Sequence, residues 1–98
     1  MIDNESQISE LRQKIDSCDR RIIEVLAERF EVTQAVGEYK AKQGLPARDP
    51  KREEEKFQAL AELARTRGLS EPMVRDLFER IIEEVRSNHR KLAQTDRS

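Results

Sequence analysis

Apolar side chains recur every third or fourth position from residue 8 to residue 39: Ile8, Leu11, Ile15, Cys18, Ile22, Val25, then Val32, Val36 and Tyr39. The alternation of threes and fours is the heptad spacing of a helix that packs against other helices. One charged residue, Arg29, stands on this seam where an aliphatic side chain is expected. A guanidinium buried there without a partner is costly, so the seam should meet an anion at that point. The predicted helix starts near Ser6, with Asp3, Asn4 and Ser6 as candidate caps, and stops at Gly44 ahead of Pro46. Lys40 and Lys42 suit the negative end of its dipole. About 36 residues at 1.5 Å rise make roughly 54 Å of helix, whereas a compact globule of this length has a radius of gyration near 13 Å. Such a helix overhangs its own chain, which predicts an intertwined homodimer.

Two shorter helices follow. After a linker from Leu45 to Asp49, Asp49 is a good N-cap and Pro50 fits the first helical position, where the missing N–H does no harm. Phe57, Leu60, Ala61 and Ala64 form the apolar stripe of this second helix, which should end near Arg67 at Gly68. Ser70 caps a third helix with Pro72 in its first turn. Its broad apolar face comprises Met73, Val74, Leu77, Phe78, Ile81, Ile82 and Val85, and helical steps beyond Val85 reach Asn88, His89 and Leu92. Residues 1–6 and 93–98 are expected to fray. The expected architecture is therefore all-α, a single domain over residues 1–98 with three helices.

Composition agrees with this pattern. Hydrophobic residues make up 36% and charged residues 40% of the 98 positions, against typical shares of about 45–50% and about 25%. The periodicity argues against disorder, yet little apolar material remains for a self-sufficient core. A net charge of −1 gives no general footprint for nucleic acid. The lone cysteine, Cys18, cannot form an internal disulfide and reads as a small core residue of the seam. No apolar run reaches membrane-spanning length and the N-terminus does not read as a signal peptide, so no membrane partner and a cytoplasmic location are expected.

The candidate chemistry lies in cations on inward positions. Arg29 is on the seam, Arg12 and Lys40 flank it on a neighbouring stripe, and Arg48 and Arg52 follow in the linker and second helix. One such arginine could rest its stem on apolar surface and send its head to water, but several together favour an anion. Arginine forks bind carboxylates bidentately and lysine supplies a compact charge, so the implied ligand is small and carries more than one carboxylate. Asp49, Glu53 and His89 could reach its hydroxyl or ether oxygens. No metal-ligand spacing, nucleophile motif or glycine-rich phosphate loop is present, and neither metal nor cofactor is expected.

The ordered set Arg12, Arg29, Lys40, Ala47-Arg48-Asp49, Arg52-Glu53, Leu77-Phe78 and Ile81-Ile82 resembles the all-helical (AroQ-type) chorismate mutases over nearly the whole chain, from Ile8 to Leu92. The resemblance implies two interlocked chains with two equivalent sites. Each would convert chorismate to prephenate by an intramolecular Claisen rearrangement, without cofactor or covalent intermediate, on the route to phenylalanine and tyrosine. By position, Arg29 and the Arg12 of the other chain would bind the two carboxylates. Lys40 would contact a carboxylate and the ether oxygen, Glu53 would accept from the ring hydroxyl with the backbone around Asp49, and Arg52 would lie against the substrate.

Two positions depart from the family pattern. Val85 stands where relatives often have serine, and cannot hydrogen-bond a carboxylate. His89 stands where glutamine usually donates to the ether oxygen, a role that imidazole can fill. Gly37 within the first helix should permit close packing. A rival within the fold is isochorismate-pyruvate lyase, and a rival of another class is a non-catalytic helical dimerisation module. The length leaves no room for a fused dehydrogenase, dehydratase or amino-acid-binding domain, so feedback control through one is not expected.

Overall fold

The structure is a computed structural model that describes residues 4–96, with side-chain surroundings described through Lys91. Among the described residues it is helical throughout: α1 spans Asn4–Gln43, α2 spans Pro50–Thr66 and α3 spans Glu71–Asp96. The two glycines expected to stop helices do so in left-handed backbone, Gly44 at φ 67° and Gly68 at φ 71°, where a side chain would be strained. Asp49 caps α2, its Oδ1 accepting from the Arg52 amide at 3.2 Å, with Pro50 following. Ser70 caps α3 in the same way, its Oγ accepting from the Met73 amide at 3.3 Å.

Helical backbone also covers residues 4–6 and 93–96, segments expected to fray. At both ends an unbroken helical ladder continues through polar sequence, because neither stretch contains glycine or proline to interrupt it. Asp3 as a cap lies outside the described residues, and Leu92 as the end of the α3 face lies beyond the last residue whose side-chain surroundings are described.

The chain divides within α1 into two compact units, residues 1–32 and 33–98. The first is a single helical segment, and its seam has no partner within the unit. Ile15, Ile22 and Val25 are 57%, 62% and 63% exposed. Cys18, on the same seam, is exposed as well. Leu26, Arg29 and Phe30 are half-buried.

The second unit holds the end of α1 and an antiparallel pair, α2 and α3, reversed at Gly68. Ala64, Val74 and Ile81 are buried between the pair, flanked by half-buried Phe57, Leu60, Ala61, Phe78, Ile82 and Val85. The expected broad face of α3 is narrower in the structure: Met73 and Leu77 are exposed. At about 100° per residue they stand roughly 60–100° from the Val74–Ile81 line, beyond what one neighbouring helix covers. On the outer surface Arg65 joins Glu62 and Glu71 at 2.9 and 2.8 Å, exposed pairs that add little stability.

Candidate active site

Six of the expected site residues, Lys40, Asp49, Arg52, Glu53, Val85 and His89, belong to the second unit, and the contacts within it join Glu53 to Arg48 and Arg86 and His89 to the end of α1. The 44–49 connection places Arg48 and Asp49 immediately before α2, and the antiparallel pairing of α2 with α3 sets Glu53 against Arg86. One guanidinium nitrogen of Arg86 donates to both carboxylate oxygens of Glu53, at 2.8 and 3.0 Å. Arg48 approaches the same carboxylate at 3.7 Å. Glu53 is half-buried, and the hydrogen bond from Arg86, reinforced by the charges of Arg86 and Arg48, holds its carboxyl below the usual glutamate range against the opposing effect of burial. At neutral pH it is an ionised acceptor, and a carboxylate has about four lone-pair sites, so it retains capacity for a further donor.

His89 lies against α1 rather than pointing freely outward. Its Nε2 is 3.0 Å from the Thr33 carbonyl oxygen. A carbonyl can only accept, so Nε2 carries the proton and donates. Gly37 makes this approach possible, because a Cβ built there would stand 2.6 Å from His89 Nε2 and 2.8 Å from Cδ2. With Nε2–H committed to the backbone, a neutral ring presents Nδ1 as an acceptor. It becomes a donor there only when the imidazole is charged.

Lys40 is half-buried near the end of α1, and Val85 is half-buried one residue before Arg86. Arg48 and Arg52 are exposed. The side chain of Asp49 is engaged in capping α2, which leaves backbone contacts as its means of meeting a ligand. In the first unit Arg12 is exposed and Arg29 half-buried. Burial lowers the Arg29 guanidinium from its ordinary value by removing water from the charge.

Arg86 was not among the residues singled out from the sequence. Its signal was present: a cation between Val85 and His89 on a helix whose inward side is otherwise apolar. Pairing it with Glu53 required the turn at Gly68 to fold α3 back along α2. A shallow hollow of about 300 Å³ between α2 and α3, lined by Phe57, Leu60, Pro72, Val74 and Arg75 among others, shares no residue with this cluster. It offers Arg75 against Glu71 and Asp76, a poor field for a dicarboxylate. Among the described residues no group of three or more histidine, cysteine, aspartate and glutamate side chains could hold a metal ion. No helix among them is long and apolar enough to cross a membrane.

Comparison with known proteins places these residues in context. A family described as chorismate mutase type II matches residues 11–90. The chorismate mutase of Methanocaldococcus jannaschii is 31% identical over 79% of this chain and 78% of its own length. The T-protein of Haemophilus influenzae is 36% identical over 83% of this chain. The bifunctional chorismate mutase/prephenate dehydratase of Escherichia coli K12 is 33% identical over the same share. The chain spans 22% of that T-protein and 21% of the bifunctional protein.

Proposed function

Because this chain belongs to the chorismate mutase type II family, we propose that it converts chorismate to prephenate by an intramolecular Claisen rearrangement. The match over residues 11–90 supports the reading most directly, since it takes in every candidate residue from Arg12 to His89. In this reaction the ether C–O bond breaks as a C–C bond forms within one molecule, so no external nucleophile is needed. What the protein must supply is conformation and charge.

Clamping both carboxylates holds the substrate in its reactive chair-like form, replacing lost conformational freedom with binding. Arg29 holds one carboxylate, and Arg12 from a second chain holds the other. Lys40 bridges a carboxylate and the ether oxygen, where negative charge grows in the transition state, so its contribution is larger there than in the ground state. Ionised Glu53 accepts from the ring hydroxyl beside the Asp49 backbone, and Arg52 flanks the substrate. His89 donates to the ether oxygen through Nδ1 when charged. Val85 contributes shape and no hydrogen bond.

The functional form is a homodimer joined through the α1 seams. Forty helical residues make α1 about 60 Å long, and none of them is buried in the single chain. An apolar stripe of that extent is far larger than scattered surface hydrophobics and calls for a partner face. A second copy supplies one by symmetry.

Incubating the protein separately with chorismate and isochorismate, then identifying the products, tests the activity. Prephenate from chorismate is expected. Pyruvate released from isochorismate, with no prephenate from chorismate, would establish the lyase instead. Sedimentation of wild type beside an Ile15→Lys/Ile22→Lys variant tests the assembly, and a wild type that stays monomeric at micromolar concentration refutes it.

A further inference from the structure

We propose that Arg86 is a positioning residue of this site: it orients Glu53 and keeps it as the acceptor for the substrate hydroxyl, a role that rests on the mutase reading above. The geometry carries the inference. Arg86 sends one nitrogen to both oxygens of Glu53 at 2.8 and 3.0 Å, across the α2–α3 boundary. One nitrogen reaching both oxygens aims the carboxyl group at α3 and gives its ionised form a charge-assisted hydrogen bond.

A surface ion pair made for solubility would leave its donors in water. Here the Arg86 Nε is buried with no hydrogen-bond partner among the described residues, so the chain bears a desolvation cost to keep the guanidinium in this place. That cost is hard to explain by stability alone, since an apolar residue on this face of α3 would pack against α2 without it. It is explained if Glu53 must stay ionised and aimed while half-buried. Arg48 alone would do this poorly, being 3.7 Å away and 63% exposed.

The charged groups set against Glu53 are Arg86 from α3 and Arg48 from the connection before α2. Lys40, Asp49, Arg52 and His89 are other ionisable residues assigned to the site in the mutase reading, and among the described residues none of them forms an ion pair with Glu53. The bond from Arg86 is the foremost cause that holds the Glu53 carboxyl below its ordinary value and keeps it ionised. Removing Arg86 therefore moves protonation of Glu53 to higher pH. The acidic limb of kcat/KM should move the same way, because protonated Glu53 no longer offers the same acceptor to the hydroxyl.

The test compares wild type, Arg86→Met, Arg86→Lys, Glu53→Gln and the double variant Arg86→Met/Glu53→Gln. Two readouts are used: pH profiles of kcat/KM with chorismate, and carbon-13 titration of the Glu53 carboxyl by NMR. The NMR titration reads Glu53 directly, independently of the other groups in the site. In Arg86→Met the titration and the acidic limb should both move to higher pH, and kcat/KM at pH 5 should fall about tenfold relative to wild type. Arg86→Lys should recover part of the shift. Adding Arg86→Met to Glu53→Gln should cost little more than Glu53→Gln alone, since the two residues act as a unit.

An unmoved Glu53 titration in Arg86→Met, or losses that add fully in the double variant, would overturn the role of Arg86 while leaving the mutase reading intact. A folded wild type without activity on chorismate overturns the mutase reading and this role with it.

Discussion

Gly37→Ala gives the sharpest test of how the end of α3 is held, because its effect should change sign with the residue at position 89. In wild type the new Cβ would stand 2.6, 2.8 and 3.1 Å from three atoms of the His89 ring. The ring must then swing away and give up its 3.0 Å hydrogen bond to the Thr33 carbonyl. Losing that bond costs about 0.5–1.5 kcal/mol, and an off-rotamer ring costs a similar amount. Against this, alanine in place of glycine inside a helix gains about 0.8–1.0 kcal/mol. The net change in the wild-type background is a loss of about 0–2 kcal/mol. In a His89→Ala background the clash and the hydrogen bond are both absent, so the same substitution should stabilise by about 1 kcal/mol. The predicted coupling between the two positions is therefore about 1–3 kcal/mol, within the usual range for touching residues. Urea unfolding of the four proteins at one fixed concentration measures it, since association makes apparent stability concentration-dependent. Equal effects of Gly37→Ala in both backgrounds would refute the packing of His89 on Gly37.

Three further outcomes bear on the chemistry and the charge balance. His89→Ala should lower turnover far more than stability, and an unchanged rate in the variant removes His89 from the reaction. Arg29→Leu should cut turnover on the order of 10²–10³-fold. A gain in stability with activity retained would instead favour a plain dimerisation module. Glu53 ionises more readily folded than unfolded, so its contribution to stability is complete above its unfolded value, roughly pH 4.3, and is lost as pH falls through the lower folded value. Glu53→Gln should therefore flatten the acid arm of the stability curve measured by thermal unfolding between pH 2 and 6, and an acid arm matching wild type would contradict the ion pair.

The helices could be read from the chain because their signals are local. The three-four spacing on α1, Asp49-Pro50 at the start of α2, Ser70 before α3 and the two glycines at the stops each act within a few residues. Burial was less legible. Met73 and Leu77 belong to the apolar pattern of α3 yet remain exposed, because covering them requires a neighbour that the pattern cannot supply. Polar and charged positions were legible as residue types and sequence positions, and Arg12, Arg29, Lys40, Asp49, Arg52, Glu53 and His89 could be singled out in that way, with Val85 added as a departure from the family pattern.

Local signals along the chain specify three helices, an apolar seam and a set of cations and acids at family-like positions. The tertiary structure decided which of these side chains meet. Glu53 and Arg86 lie 33 residues apart, and only the reversal at Gly68 brings their charges within hydrogen-bond distance. His89 and Thr33 lie 56 apart, and only a missing Cβ at Gly37 lets the ring reach the backbone of α1. Helical periodicity is fixed by backbone geometry over a single turn, whereas contacts between distant residues depend on how whole helices pack.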